Sequence, residues 1–200
     1  MQYRIPQKSI HPTIAIIMVA LGTIRNLVAV AQMIAARSAN TSVNWSVVGF
    51  TALIGLVPVA LLLYAFFVVK RKPHTFAKLL KFIVAINIFA LAIGLLATVG
   101  QLLQGVALTG LSGTISTLFT LPLAIAMLSL YRKAIDGRLP DKKPLLIVSL
   151  LYAIVGVIFS AITNISKEQS ILLMVTGILA TALASAAYFV LFLGLEQEEP

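Results

Sequence analysis

Cysteine is absent from this chain of 200 residues. Its absence excludes disulfide bonds, thiolate metal sites, cysteine nucleophiles and redox-active dithiols together. Acidic residues are also few, with six Asp and Glu against 15 Lys and Arg. The sequence therefore offers little of the side-chain chemistry on which most catalytic and metal sites depend.

Charge of either sign is scarce as well, since charged residues make up only 10% of the chain and hydrophobic residues make up 60%. Ordinary soluble domains are about one quarter charged, and a single domain of this size still exposes much of its surface. The basic residues form short clusters between apolar runs, as in the loops of membrane proteins, and not the stripe of a nucleic-acid reader. We therefore predict an integral membrane protein in a lipid bilayer, with no nucleic-acid partner.

The uncharged runs predict a single membrane domain over residues 1–200, an all-α bundle of about six transmembrane helices. A helix satisfies its own backbone and crosses the hydrocarbon core in about 20 residues. The uncharged run from Phe82 to Tyr131 is too long for one crossing, so we expect it to fold back near the polar, glycine-marked segment 101–113. The predicted spans are 12–36, 46–69, 80–104, 108–131, 144–163 and 170–195.

The distribution of positive charge predicts that both termini lie in the cytoplasm. Lys and Arg next to a span are retained on the cytoplasmic side. Alternate loops and the N-terminal segment carry every basic residue except Arg25, Arg37 and Lys167. We therefore expect an N-in, C-in topology in the cytoplasmic (inner) membrane of a bacterium.

The first predicted span has a second interpretation, as a signal peptide. Arg4 and Lys8 precede an apolar stretch, and Ala29-Val30-Ala31 fits the small-residue pattern of a cleavage site. However, Arg25 would end the apolar stretch early, and its helical register with Gln32 is typical of a helix packed inside a bundle. We favour retention of this span, which the intact mass of the purified protein tests.

Small and polar residues at helical spacing mark one face of every predicted span except the second. Lipid provides no hydrophobic force between helices, so such residues usually allow close helix packing. A cavity lined by polar groups is the alternative interpretation. The stripes are Gly22, Arg25, Ala29, Gln32 and Ala36; Asn87, Gly94, Thr98 and Gln101; Gly113, Ser116, Thr117 and Thr120; Ser149, Gly156, Ser160 and Thr163; and Gly177, Thr181, Ala184 and Tyr188.

Arg25 lies near the middle of the first predicted span, deeper than a snorkelling side chain readily reaches. Placing an arginine there costs at least about 2.5–3.5 kcal/mol on insertion scales, so it should face the interior and have partners. All six acids lie in loops or the tail, which leaves neutral groups or an anion as partners. A polar network without a ligand is the first interpretation. The second is a binding site within the bundle for a small anionic molecule or lipid, formed by Arg25, Gln32, Asn87 and Gln101.

The basic segment between the second and third predicted spans suggests a second site. Its apolar residues fall on one side with lysines beside them, an arrangement that favours docking on anionic headgroups. Ordinary topology-determining charges are the simpler interpretation. The residues predicted to contact lipid headgroups are Lys70, Arg71, Lys72, Lys78 and Lys81.

The interiors of the predicted spans contain no acid, lysine or histidine. Intramembrane hydrolysis requires paired acids, a nucleophile with its base, or a metal site, and proton relays use acids or histidines. The chain also lacks the glycine-rich loop of nucleotide hydrolases. We therefore expect a protein that is not an enzyme, has no cofactor or metal, and binds a small anionic molecule or lipid as one subunit of a transporter. The alternative is a structural or interaction subunit that contacts other membrane subunits and has no ligand of its own.

Overall fold

A computed structural model of the chain describes residues 2–38, 60–104, 111–165 and 171–197. The described residues are almost entirely helical, which confirms the predicted all-α bundle. The elements, in chain order, are β1 (Tyr3–Arg4), α1 (His11–Ser38), α2 (residues 60–68 of which are described), α3 (Pro73–Leu103), α4 (Leu111–Ile135), α5 (Lys143–Ile165), α6 (Ile171–Leu193) and β2 (Glu196–Gln197).

Helices α3, α4, α5 and α6 are long and apolar enough to cross a membrane, as counted over the described residues. The shortest of them have 23 residues, or about 35 Å at a rise of about 1.5 Å per residue, against a hydrocarbon core of about 30 Å. The chain thus has the character of an integral membrane protein. Helix α1 is 28 residues long, but its side chains from Arg25 onward lie outside the described part. Most of the second predicted span, with Pro58, also lies outside it.

The described helices pack side by side in one series. Helix α1 contacts α6, α6 contacts α5, α5 contacts α4, and α4 contacts α3. Phe66 of α2 lies against Phe76 of α3 and Tyr188 of α6, with ring centroids 5.6 and 5.3 Å apart. Helix α6 therefore contacts α1, α5 and the described part of α2, whereas α3 buries only a few residues near its first turns.

The stripes predicted for the first, fifth and sixth spans meet at one seam. A Cβ atom on Gly22 would lie 2.6 Å from the carbonyl oxygen of Ala180 and 2.9 Å from the Cβ of Ala184, so α1 and α6 touch at their backbones. The hydroxyl of Thr181 lies 3.0 Å from that of Ser160 across the α5–α6 contact. Close packing, the simpler interpretation of the stripes, is confirmed at this seam.

One member of the third stripe, Gly94, packs against α4. A Cβ on Gly94 would lie 2.7 Å from the Oγ1 atom of Thr114, which shows close packing of α3 on α4. A Cβ on Gly113 would meet no described atom within 4 Å. The described residues thus show no packing at Gly113, which lies in the exposed first turn of α4.

Helix α3 begins seven residues before the predicted boundary at residue 80, so most of the basic segment is helical. Pro73 occupies the first turn, where a proline loses no hydrogen bond and its φ angle suits a helix. Phe76, Leu80 and Val84 recur on one face and are buried. An apolar face of this kind tolerates exposed lysines on the opposite side, so the helix extends beyond the predicted span into the basic segment.

Five aromatic side chains form a closed ring of contacts at the end of the bundle where α3 begins. Neighbouring rings have centroids 5.1 to 6.4 Å apart, mostly in edge-to-face or tilted orientations. Such pairs contribute about 0.5–1.5 kcal/mol each beyond their buried area. Four helices are thereby joined at this end. The members of this aromatic ring are Phe66, Phe76, Tyr131, Tyr188 and Phe192.

A glycine ends α4 just beyond the aromatic ring. Gly137 has a φ angle of 73°, the left-handed conformation that favours glycine. Its N–H donates to the carbonyl of Ala134, and the N–H of Arg138 donates to the carbonyl of Lys133 at 2.8 Å, which closes the helix C-terminus. The chain therefore turns sharply here and reaches Pro140, where the chain termini meet.

Candidate functional site

The two ends of the chain are joined by a short antiparallel pairing of β1 with β2, in which Tyr3 is opposite Gln197 and Arg4 is opposite Glu196. The Nε2 atom of Gln197 donates to the hydroxyl of Tyr3 at 2.7 Å, and both side chains donate to the carbonyl of Pro140. We call residues 3–4 and 196–197 the terminal clasp. The clasp places residues 3–4 and 196–197 on one side of the bundle, which agrees with the predicted even number of spans.

Lys142, at the start of α5, holds the C-terminal side of the clasp. Its ammonium donates to the carbonyl oxygens of Leu195 at 2.7 Å and Leu193 at 3.1 Å. The last carbonyls of a helix have no partner within the helix, and the helix dipole places negative charge there. Lys142 therefore satisfies the end of α6.

Lys70, after α2, holds the N-terminal side in the same way. Its ammonium donates to the carbonyl oxygens of Ser9 at 2.6 Å and Gln7 at 3.3 Å. Lys70, one of five residues predicted to contact headgroups, is thus half-buried and hydrogen-bonded to the backbone. The other four residues of that hypothesis, Arg71, Lys72, Lys78 and Lys81, are exposed.

A cavity of about 240 Å³ lies beneath the terminal clasp. Its lining combines Arg4 and its neighbours, the turn that contains Arg71, the first turn of α3 with His74, and the ring of Tyr131. The described residues of this lining include no Asp or Glu. We call this space the clasp cavity.

A second cavity, of about 330 Å³, lies beside it between α3 and α4. Helix α3 contributes His74, Ala77 and Lys78, and α4 contributes Arg132, Ile135 and Asp136. Both cavities include His74 and Ile135 in their linings, so they are neighbours. We call the second space the basic groove.

Positive charge at this end is largely uncompensated. In the part of the chain that the structure describes, Arg71, Lys78 and Arg132 form no ion pair. Lys143 pairs with Asp141 at 3.6 Å, but both side chains are largely exposed, where such pairs contribute little. The end that carries the chain termini is therefore a strongly positive surface with two cavities in it.

The predicted site within the bundle is only partly covered by the structure. Arg25 and Gln32 belong to α1, but their side chains lie outside the described part. Asn87 and Gln101 are both half-buried on α3. They are separated by 14 residues, or about 21 Å along the helix axis at about 1.5 Å per residue, so one small molecule does not reach both. The site at Arg25 stays a prediction.

The sequence indicated the basic end but neither of its cavities. Arg4, His74, Tyr131 and Arg132 come from three separate segments, and no local spacing connects them. The positive-inside pattern was the available signal, because it places the N-terminal segment and two loops on one side of the membrane. Their grouping around cavities depends on the clasp and on helix packing.

Among the side chains that the structure describes, no three of His, Asp or Glu gather at one point. No protein-family model, curated protein or solved structure matches this chain. Function is therefore inferred from the charges and cavities of the basic end.

Proposed function

We propose that this chain is a non-enzymatic, multi-pass protein of the bacterial cytoplasmic membrane that binds the headgroup of an anionic phospholipid in its basic groove, as one subunit of a transporter. In this proposal both termini and the groove face the cytoplasm. The observation that carries it is the convergence of Lys78 and Arg132, from two neighbouring helices, on one cavity of about 330 Å³.

The surface next to the groove suits the rest of a phospholipid. On α3, Phe82 and Phe89 follow Lys78 by 4 and 11 residues, which places them on the same face, and they are 54% and 68% exposed. On α4, Ile125 precedes Arg132 by seven residues and is 45% exposed. A phosphate held between the two cations would therefore leave its acyl chains against two apolar helix surfaces.

Electrostatics favour an anionic headgroup over a zwitterionic one. Attraction of a basic residue to an anionic membrane surface contributes about 1 kcal/mol per Lys or Arg. Asp136 in the same groove offsets one of the two positive charges, and the N-terminus of α3 adds the positive end of a helix dipole. The groove thus keeps an excess of positive charge next to the lipid.

The second candidate function is a structural or interaction subunit of a membrane complex with no ligand. The backbone contact of Gly22 with Ala180 supports it, because a closed seam leaves no room for a ligand between α1 and α6.

The test measures thermal unfolding of the full-length protein in nonionic detergent with added phosphatidylglycerol or phosphatidylcholine. We expect phosphatidylglycerol to stabilise the wild type, by up to about 2.7 kcal/mol at a lipid concentration 100 times Kd. The double variant Lys78→Gln/Arg132→Gln should lose most of this stabilisation. The control Lys72→Gln/Lys133→Gln removes the same charge from exposed residues outside the groove and should keep it. Equal stabilisation by both lipids, or equal loss in both double variants, contradicts the proposal.

A further inference from the structure

The basic groove has two tiers of polar side chains along its two helices. Lys78 of α3 and Arg132 of α4 form the inner tier, nearer the middle of their helices, and His74 and Asp136 form the outer tier at the helix ends. On each helix the two tiers are four residues apart, or about 6 Å at a rise of about 1.5 Å per residue. An occupant that reaches both tiers therefore needs two polar groups separated by about this distance.

The two helices bring opposite ends of their dipoles to the outer tier. Helix α3 begins at Pro73, so His74 lies at its positive end. Helix α4 ends at Ile135, so Asp136 lies at its negative end. Cations, not anions, are the stabilising residues at a helix C-terminus. The position of Asp136 therefore opposes the stability of α4 and calls for another explanation.

The carboxylate of Asp136 has no structural partner among the described residues. It accepts no hydrogen bond and forms no ion pair there, although Arg132 lies four residues earlier, a spacing that commonly joins opposite charges on a helix. By comparison, Asp141 caps the start of α5, where it accepts a hydrogen bond from the N–H of Lys143 at 2.9 Å. The acceptor oxygens of Asp136 thus line the groove without a contact to the described part of the chain.

The two tiers together match a phosphodiester that carries a hydroxylated headgroup. The groove volume of about 330 Å³ equals about eleven water molecules at about 30 Å³ each, which is room for a phosphate and a glycerol. An ionised carboxylate only accepts hydrogen bonds, so Asp136 needs a donor such as a hydroxyl. A bare phosphate monoester provides no such donor and carries about 1.5–2 negative charges at pH 7, which Asp136 repels.

We propose that Asp136 selects the headgroup in the basic groove and favours phosphatidylglycerol over phosphatidic acid, an inference that rests on the proposed lipid-binding function. Lys78 and Arg132 hold the phosphate in the inner tier. The carboxylate of Asp136 accepts hydrogen bonds from the glycerol hydroxyls in the outer tier, and such bonds to an ionised group are among the stronger ones. Attraction to the two cations alone gives the opposite order, because phosphatidic acid carries the larger negative charge.

The test follows thermal unfolding of the full-length protein in nonionic detergent during titration with phosphatidylglycerol, phosphatidic acid or phosphatidylethanolamine of the same acyl chains. The wild type should bind phosphatidylglycerol with a Kd about tenfold lower than that for phosphatidic acid, as one hydrogen bond to a charged group provides. Asp136→Asn keeps the size of the side chain and removes its charge, so phosphatidic acid should bind more tightly and the preference should disappear. The lipid-free unfolding temperature of this variant should stay unchanged or rise slightly, because an anion leaves the negative end of α4.

Two controls accompany this test. Asp141→Asn removes a carboxylate from the same end of the bundle, and Asp141 is not among the described residues of the groove lining. This variant should keep the preference for phosphatidylglycerol, although it weakens the cap of α5. Soluble glycerol 3-phosphate is the free form of the same chemistry. It should give no stabilisation at concentrations at which phosphatidylglycerol saturates, because it has no acyl chains to lie against α3 and α4.

Failure of this inference is distinguishable from failure of the proposed function. Equal or tighter binding of phosphatidic acid by the wild type overturns the role of Asp136, as does an unchanged preference in Asp136→Asn or its loss in Asp141→Asn. Tighter binding of phosphatidylethanolamine would make the partner of Asp136 an ammonium group and overturns the assignment to hydroxyls. In these cases stabilisation that depends on Lys78 and Arg132 can persist. Its absence with every lipid, or equal stabilisation by glycerol 3-phosphate, overturns the proposed function and this inference together.

Discussion

The middle of the bundle and its basic end both contain many polar side chains, but the two regions use them differently. At the seam of α5 and α6, Ser149, Thr181 and Ser185 donate to carbonyl oxygens three or four residues earlier in their own helices. At the basic end, Lys70 and Lys142 donate to segments more than 50 residues away. Polar groups that are satisfied within their own helix permit close helix packing, whereas the end where distant segments meet contains the two cavities.

The largest expected effect tests whether the seam is closed. Gly22→Leu would drive a side chain into the carbonyl of Ala180, which lies 2.6 Å from the position of a Cβ. Overpacking typically costs about 1–3 kcal/mol and exceeds this where backbone must move. We expect a large fall in unfolding temperature, or loss of the monodisperse peak in size-exclusion chromatography.

The matched control for this prediction is Gly100→Leu, since a Cβ at Gly100 meets no described atom within 4 Å. It should leave the unfolding temperature unchanged or raise it slightly, because glycine is a poor helix former. A mild effect of Gly22→Leu, similar to that of Gly100→Leu, would show that the seam is open and would remove the contrast between the two regions.

An intermediate effect is expected at the terminal clasp. Lys142→Met removes the ammonium that binds the carbonyls of Leu193 and Leu195. Because these hydrogen bonds are only partly buried, the loss should be about 1 kcal/mol, below the range of about 1.5–3 kcal/mol for hydrogen bonds to charged groups. Thermal unfolding and the rate of tryptic cleavage after the exposed Lys8 both measure it. Lys143→Met, which removes only an exposed pair with Asp141, should change neither, and equal effects of the two variants would count against the clasp.

The smallest effect is expected for Arg25→Met. Replacing a desolvated charge by an apolar side chain of similar size often leaves stability unchanged or raises it, so the unfolding temperature without lipid should stay the same or increase. Stabilisation by phosphatidylglycerol should also persist, because Arg25 does not line the basic groove, which is formed by residues of α3 and α4. Its disappearance in this variant would place the anion in the middle of the bundle, at the site predicted from Arg25.

The last two predicted spans, 144–163 and 170–195, nearly coincide with helices α5 (Lys143–Ile165) and α6 (Ile171–Leu193). Both are uncharged runs bounded by charges, and insertion into lipid depends mainly on that local property. The sequence did not predict the clasp, because two-residue strands carry no alternation and pair across nearly the whole chain. The sequence also gave no expectation for Pro122, which lies inside α4 without ending the helix. Neighbouring groups in a bundle can form hydrogen bonds with the carbonyl that a proline leaves free.

The candidate sites were predictable to a similar degree. Counting charges located the basic end, and Lys78 was among the residues expected to meet headgroups. The role of Lys70 as a backbone donor and the place of Tyr131 beneath the clasp depend on which segments fold over them. The separation of Asn87 and Gln101 by 14 residues, by contrast, is visible in the sequence. It is too long for the single small-ligand site that we predicted from them.

The contact of α1 with α6, closed by the terminal clasp, has a consequence for biosynthesis. The first helix enters the membrane while its partner is still untranslated, and translation at about 5–20 residues per second separates the two by roughly 8 to 30 s. During this interval Gly22 and the rest of the α1 face have no α6 to cover them. An insertase or chaperone that shields α1 should therefore cross-link to nascent chains ending before residue 171 and release them once α6 has been inserted.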